Sequence, residues 1–279
     1  MEKTGHRLLY ATPTGKHPTV AYCKSLHDME LTCKTFERTA ADMVFTVGPV
    51  QMARSKIAEQ TVEEKYDFVV MHDDDLLVQC LGESGNPLDA FHELFEKHPD
   101  VGIIGAVYLR ERPNMPTVTM PHPEFPEELC HIVAGMPYAP FEVAAVGTGF
   151  MMVRRQVFEA LHEEGRGMFR FSHRKTRWGT VSEVGEDYDF CVRARAKGWR
   201  VLADPRFGTV HFKDQPHKFE WHDWEAAWQD DAPGIQDRAK EMRTAVGPGP
   251  KFLQLTGGLV VIDHTPLLTG AADATQKAA

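Results

Sequence analysis

No stretch of this chain approaches the 18 or so consecutive apolar residues of a membrane span, and the polar start Met1-Glu2-Lys3-Thr4-Gly5-His6-Arg7 is not a signal h-region. Cysteine is sparse. Cys23, Cys33, Cys80, Cys130 and Cys191 are odd in number, scattered, and form no Cys-x-x-Cys pair. That usage gives no support to a disulfide framework or a cysteine zinc site, and fits reduced thiols in a soluble cytoplasmic protein. An excess of basic charge is missing too: 31 basic side chains against 40 acidic ones leave a formal charge of -9. A net negative chain is a poor general binder of polyanions, because phosphate neutralisation drives that affinity. The two locally basic stretches, Arg154-Arg155 and His173-Arg174-Lys175 with Arg177, read as solvated surface. What is present is globular composition, 42% hydrophobic and 25% charged over 279 residues, enough for one large α/β domain or two small ones.

Apolar runs and amphipathic stretches alternate along the first half. Strands are expected at Arg7–Ala11 and Met43–Val47, and Val101–Val107 is a third apolar run. Helices are expected around Ala21–Lys34, over Gln51–Glu64, and over Pro87–His98, where Leu88, Phe91, Leu94 and Phe95 share one face. This rhythm is the mark of βαβ units. Between Glu111 and Pro140, prolines at 113, 116, 121, 123, 126, 137 and 140 argue against long regular elements, and an irregular or extended segment across the site is expected. Val143–Val146 and Phe150–Val153 flank Gly147-Thr148-Gly149, Gln156–Glu163 returns to helix, and Gly165–Thr180 reads as a mobile loop. A helix over Tyr188–Lys197 and short strands at Trp199–Ala203 and Val210–Phe212 follow. Residues 216–279 are expected to be a C-terminal helical extension, with Trp221, Trp224 and Trp228 in a helix and Ala271–Ala279 a frayed tail.

The most informative string is Phe68-Val69-Val70-Met71-His72-Asp73-Asp74-Asp75-Leu76-Leu77, an apolar strand running into three carboxylates. Ligands of open α/β sheets sit at the carboxyl ends of such strands. Acids gathered there repel one another unless something positive lies among them, and a hard divalent cation carrying phosphate oxygens is a natural candidate. An acidic turn or helix cap is the mundane alternative. Two further strings stand downstream. Gly185-Glu186-Asp187 opens a helix, where the dipole favours anions, and Thr209-Val210-His211-Phe212 sets an imidazole on a short strand.

Taken in order, Asp-x-Asp at a strand end, Gly147-Thr148-Gly149-Phe150-Met151-Met152-Val153-Arg154-Arg155, Gly185-Glu186-Asp187 and the strand histidine resemble the GT-A glycosyltransferases. The likeness is greatest to family 2 and to related bacterial and phage-encoded enzymes, and spans roughly Arg7 to Phe212. It implies an α/β, Rossmann-like GT-A fold with a mixed, mainly parallel sheet flanked by helices, residues 1–215 forming the catalytic domain. It also implies a nucleotide-sugar donor, UDP favoured, and Mn²⁺ or Mg²⁺ bridging protein to diphosphate. By position, Asp73, Asp75 and His211 match metal ligands, and Asp187 matches the general base of inverting enzymes, with Glu186 beside it. Thr12, Pro13, Thr14 and Arg54 match the nucleotide pocket, as do Asp73 and Asp74. Gly147 and Gly149 match backbone passing close to the donor sugar. Asp74 departs from the usual small or apolar middle residue, so the acid pairing could shift by one. Retaining enzymes share the Asp-x-Asp, so stereochemistry stays open. The implied acceptor is a glycan or a hydroxymethylated DNA base, the location is host cytoplasm if the chain is phage-encoded, and the C-terminal region is the candidate surface for a homo-oligomer.

Two rival readings use the same residues. A sugar-nucleotidyltransferase would want a glycine-rich basic loop after the first strand, and Thr12-Pro13-Thr14-Gly15-Lys16 is a poor version. An iron oxygenase would use His72-x-Asp74 with His211 as a two-histidine, one-carboxylate site.

Overall fold

The computed structural model describes residues 5–14, 18–36, 41–80, 85–110, 115–121, 128–162, 167–175, 181–212, 216–220, 251–255 and 259–263. The first half alternates as its hydrophobic pattern demands: β1 (Leu8–Thr14), α1 (Val20–Thr32), β2 (Ala41–Val47), α2 (Val50–Glu63), β3 (Phe68–His72), a short β4 (Leu76–Val78), α3 (Pro87–Lys97) and β5 (Val101–Ala106). The starts of α1 and α3 carry side-chain caps. The Thr19 hydroxyl accepts from the Tyr22 amide at 3.1 Å, and the Asn86 side chain accepts from Leu88 N at 2.9 Å with Pro87 in the first turn.

The proline-rich stretch is extended rather than formless. It contributes β6 (Val118–Pro121) and β7 (Leu129–Ala134), followed by β8 (Phe141–Val143), β9 (Ala145–Val146) and β10 (Phe150–Arg154). Pro116 and Pro121 sit at a bridge and a strand end, where a missing amide donor costs least. The expected Gly165–Thr180 loop is corrected in part. After α4 (Arg155–His162), β11 (Ser172–Lys175) pairs antiparallel with β12 (Val181–Val184). Then come α5 (Glu186–Ala196), β13 (Arg200–Asp204) and β14 (Thr209–Phe212). Beyond residue 215 the described residues are strands, not helix: β15 (Pro216–Phe219) pairs with β14, β16 (Lys251–Leu255) pairs with β17 (Leu259–Asp263), and β17 lies parallel to β7. The helix expected around Trp221, Trp224 and Trp228, and the tail Ala271–Ala279, fall outside the described residues.

The central sheet has the order β2-β1-β3-β10-β5-β13-β8. Five of its seven strands run one way, and β10 and β8 run against them. Side chains alternate between two cores with the period of a strand. Leu9, Val69, Met71, Met151 and Val153 face α2, α4 and α5 through Ile57, Phe158 and Phe190. Leu8, Tyr10, Phe68, Val70 and Met152 face α1 and α3 through Met29, Phe91 and Phe95. Covering both faces explains why the strands read as unbroken apolar runs, and it leaves polar residues to collect at the strand ends. Among the described residues, no helix is long and apolar enough to cross a membrane.

Candidate active site

The tip of β3 gives its three acids three different settings. Asp73 Oδ1 accepts from Arg54 Nη2 at 2.7 Å, while the Asp73 amide donates to Gly149 O at 2.8 Å. Asp74 is turned inward: its carboxylate accepts from the Thr14 hydroxyl, and its carbonyl takes both the Thr19 amide and the Thr19 hydroxyl at 3.0 Å. Asp74 therefore ties the start of α1 to the end of β1. Asp75 accepts the Phe212 amide at 2.7 Å on its carbonyl, and its Oδ1 faces His211 Nε2 at 3.4 Å.

Arg54 joins the two acidic segments. Its α2 position carries the side chain beneath β3, 4% exposed, where Nη1 donates to Glu186 Oε1 while Nη2 holds Asp73. Burial alone would lower the guanidinium pKa, but the carboxylates of Asp73, Glu186 and Asp187 outweigh it and raise it. One buried cation thus serves carboxylates 19 and 132 residues away in sequence. Asp187, at the start of α5, accepts from the Tyr188 amide at 2.8 Å. Burial, reinforced by the charge of Glu186, pushes its carboxyl up to about 6 against the pull of Arg54 and Arg110. A carboxylate poised there can take a proton near neutral pH.

His211 closes the other side. The ring is 7% exposed, and Nδ1 lies 3.0 Å from Leu109 O. A carbonyl only accepts, so Nδ1 carries a proton, and in the neutral ring Nε2 turns a lone pair toward Asp75. Tyr108 packs edge-on to His211, with ring centroids 5.2 Å apart. Burial together with the charges of Asp73 and Asp187 holds its phenol well above the ordinary value. Its hydroxyl accepts from Gly149 N at 3.1 Å. A Cβ at Gly149 would lie 2.6 Å from Tyr108 Cζ, and one at Gly147 would strike the Tyr108 hydroxyl. What these glycines admit in the structure is the Tyr108 ring.

The other expected residues are placed as follows. The Thr12 hydroxyl meets the Tyr22 hydroxyl at 2.5 Å, Pro13 is buried, and Thr14 holds Asp74, so the end of β1 braces the acid turn. Trp199 packs against the core beside Gly102, and Trp178 lies outside the described residues. The oxygenase reading is corrected: His72 is fully buried, with Nδ1 taken by the Tyr10 hydroxyl at 2.5 Å and Nε2 by Leu76 O at 2.8 Å. Neither nitrogen is open to a metal, and Asp74 is engaged by Thr14. Within the basic stretches His173 is exposed, as expected, but Arg154 and Arg174 are engaged. Arg154 donates to Val101 O at 2.8 Å and to Phe95 O, and Arg170 and Arg174 lie 3.5 and 3.9 Å from the buried carboxylate of Asp189, which Arg193 holds at 2.7 Å. Sequence reasoning missed Tyr108 and Arg110. The Gly147 and Gly149 pair, two residues apart, was the available sign that something bulky approaches there.

The donor set at Asp75 and His211 fits a divalent cation. An imidazole nitrogen and a carboxylate oxygen 3.4 Å apart are both ligand types a divalent ion accepts, and a proton on the ring makes the same contact an ion pair when no metal is bound. It is not a closed three-residue cage. Among the described residues, Asp73, Asp75 and His211 do not bring three ligand atoms within 4.8 Å of one another, so any ion held there completes its shell from elsewhere.

A family model described as glycosyltransferase like family 2 matches residues 30–225, well over half of the chain. The chain belongs to that family. It is a glycosyltransferase of GT-A fold, with a mainly parallel sheet flanked by helices. Solved structures similar to this glycosyltransferase include A197 from STIV, at 16% identity and TM-score 0.47, covering 75% of this chain and 86% of that one. GalNAc-T7 with UDP, GalNAc and Mn²⁺ matches at 10% identity and TM-score 0.46, covering 96% of this chain but only 54% of GalNAc-T7. UDP-glucose pyrophosphorylase complexed with UDP-glucose matches at 11% identity and TM-score 0.40, covering 81% and 98% of the two chains. Likeness at that level says nothing of substrate. No curated protein is a significant match.

Proposed function

We propose that this glycosyltransferase transfers a sugar from a nucleoside-diphosphate donor, UDP favoured, to an acceptor hydroxyl with inversion, and that it needs Mn²⁺ or Mg²⁺. The observation that carries the reading is the convergence of remote acids and one imidazole at the tip of β3: Arg54 holds Asp73 and Glu186 together while Asp75 faces His211 at 3.4 Å. Asp75 and His211 would hold the ion, with Asp73 reaching the ion or the ribose through its second oxygen. When bound, the ion supplies positive charge against the diphosphate that leaves.

The residues of the chain do the rest. Asp187 accepts the proton of the acceptor hydroxyl, and its raised pKa suits a base that must also release that proton. Glu186, clamped by Arg54, sets the start of α5 and orients acceptor or sugar. The end of β1 at Thr12, Pro13 and Thr14 borders the nucleotide, with Asp74 and Thr14 fixing its outline. Gly147 and Gly149 keep Tyr108 against His211 and leave the donor sugar a close backbone wall. A glycan is the favoured acceptor. Arg154 is engaged by backbone carbonyls and Arg170 and Arg174 lie against Asp189, which weighs against a DNA backbone, as does the formal charge of -9.

A thermal-shift panel of nucleoside diphosphates with and without Mn²⁺ tests the proposal. UDP with Mn²⁺ should raise Tm more than either alone, by mass action on the native state. A rise with UDP that Mn²⁺ leaves unchanged would remove the metal from the reading.

A further inference from the structure

A second constellation of chemistry-bearing side chains lies at the opposite end of the sheet. His6 precedes β1 and Asp67 precedes β3, at the edge where the parallel strands begin, whereas Asp73 stands where β3 ends. The five-residue strand separates the two ends by roughly 17 Å. From α3, His92 and Glu96 project toward that edge one helical turn apart.

The two imidazoles converge on one carboxylate oxygen. His6 Nε2 lies 4.0 Å and His92 Nε2 3.9 Å from Glu96 Oε1. One ligand atom from each residue falls within 4.8 Å of the others, an arrangement found nowhere else among the described residues. His92 Nε2 is buried without a hydrogen-bond partner, on a side chain only 7% exposed. Leaving such a nitrogen unsatisfied is costly, and a cation at Glu96 would satisfy it. The rings are held in place. Phe36 and Phe68 stand edge-on to His92 with centroids 5.4 and 5.5 Å away. Asp67 Oδ2, fixed by the Arg7 amide at 2.8 Å, faces His6 Nδ1 at 3.7 Å. At 3.7 Å this carboxylate is beyond hydrogen-bond reach, but its charge beside Nδ1 favours a proton there, the tautomer that leaves Nε2 for a metal.

We propose that His6, His92 and Glu96 form a second, non-catalytic divalent-cation site that prefers a borderline ion such as Zn²⁺ to Mg²⁺ or Mn²⁺. Two imidazoles and one carboxylate suit such an ion, whereas magnesium and manganese favour oxygen shells. At bond lengths of about 2.0–2.2 Å the ligand atoms of a tetrahedral ion stand about 3.3 Å apart. Closing to that spacing takes an inward swing of the exposed Glu96 side chain and a shift of the partly exposed His6 ring toward the buried His92. Water completes the shell. The ion would clip the segment before β1 to α3 and stabilise the fold without touching the reacting groups.

Equilibrium dialysis of chelator-stripped full-length protein against Zn²⁺ tests this, in an Asp75→Asn/His211→Ala background that silences the β3 tip. One equivalent of Zn²⁺ should bind in that background, and His6→Ala and Glu96→Gln should each weaken it at least about tenfold. Co²⁺ in its place should give an absorption spectrum of low coordination number that both substitutions abolish. Both positions are partly exposed, and unchanged circular dichroism will show the variants folded. Failure to bind an equivalent of Zn²⁺, or equal affinity in both variants and their parent, overturns the site.

Discussion

Arg54 and Asp73 meet at 2.7 Å beneath the tip of β3, and the other arm of the same guanidinium reaches Glu186. The positive charge that a run of three acids requires is thus supplied in part by the chain itself. In the proposed reading an exogenous cation would be held by Asp75 and His211, which face each other at 3.4 Å, with Asp73 beside them.

Removing that arginine should unfold more than it disables. Arg54→Ala leaves two largely buried carboxylates without their cation, a change that typically costs about 3 kcal/mol or more. Urea unfolding should show the midpoint falling by the corresponding amount with m unchanged. Arg54→Lys should recover only part of the loss, because one ammonium cannot form both contacts of the fork.

Asp187 should set the acid limb of activity. Its carboxyl titrates near 6, so kcat/KM should rise as pH passes 6 and level off above it, and Asp187→Asn should abolish transfer while nucleotide affinity is kept. Stability should run the other way. A carboxyl raised from 3.8 to about 6 in the fold contributes stability below pH 3.8 and loses it as pH climbs through 6. Asp187→Asn should therefore raise stability at pH 7–8 by about 1 kcal/mol after discounting for partial exposure, and the gain should vanish at pH 3.5. Nucleotide binding lost with Asp187→Asn would make Asp187 a donor ligand instead.

Asp74 and Asp75 should separate cleanly. Asp74→Asn weakens the Thr14 contact and should lower Tm by a few degrees without changing the effect of Mn²⁺ on nucleotide binding. A loss of that effect would shift the metal-binding pair by one residue.

Gly149→Ala should destabilise by about 1–3 kcal/mol, since its Cβ would sit 2.6 Å from the Tyr108 ring in a filled core. Thermal unfolding measures the cost, and pairing the change with Tyr108→Leu should recover most of it.

Much of this architecture was legible because strands buried on both faces are written as apolar runs, and Leu8–Ala11, Phe68–His72 and Val101–Ala106 all read so, whereas the continuation of β1 through Thr12-Pro13-Thr14 did not. The acid turn, Glu186-Asp187 and His211 were legible as separate strings. Their partners were not, because a bridge such as Arg54 to Glu186 spans 132 residues and leaves no local pattern. The hairpin of β11 and β12 hid behind basic, half-exposed residues with no apolar alternation, and Arg170 and Arg174 find their reason in the distant Asp189. His72 looked like a ligand because sequence shows its neighbours in the chain and not Tyr10, its neighbour in the sheet. His92 and Glu96 stand one helical turn apart on α3, but only folding brings His6 to them.

The central claim is that Asp75 and His211 hold a cation that grips the nucleotide, and titration calorimetry of UDP with and without Mn²⁺ tests it most directly. In the wild-type protein Mn²⁺ should strengthen UDP binding at least about tenfold, and Asp75→Asn should erase that gain while leaving the unfolding midpoint near the parent value. An Asp75→Asn protein in which Mn²⁺ still tightens UDP binding to the wild-type degree would contradict the account.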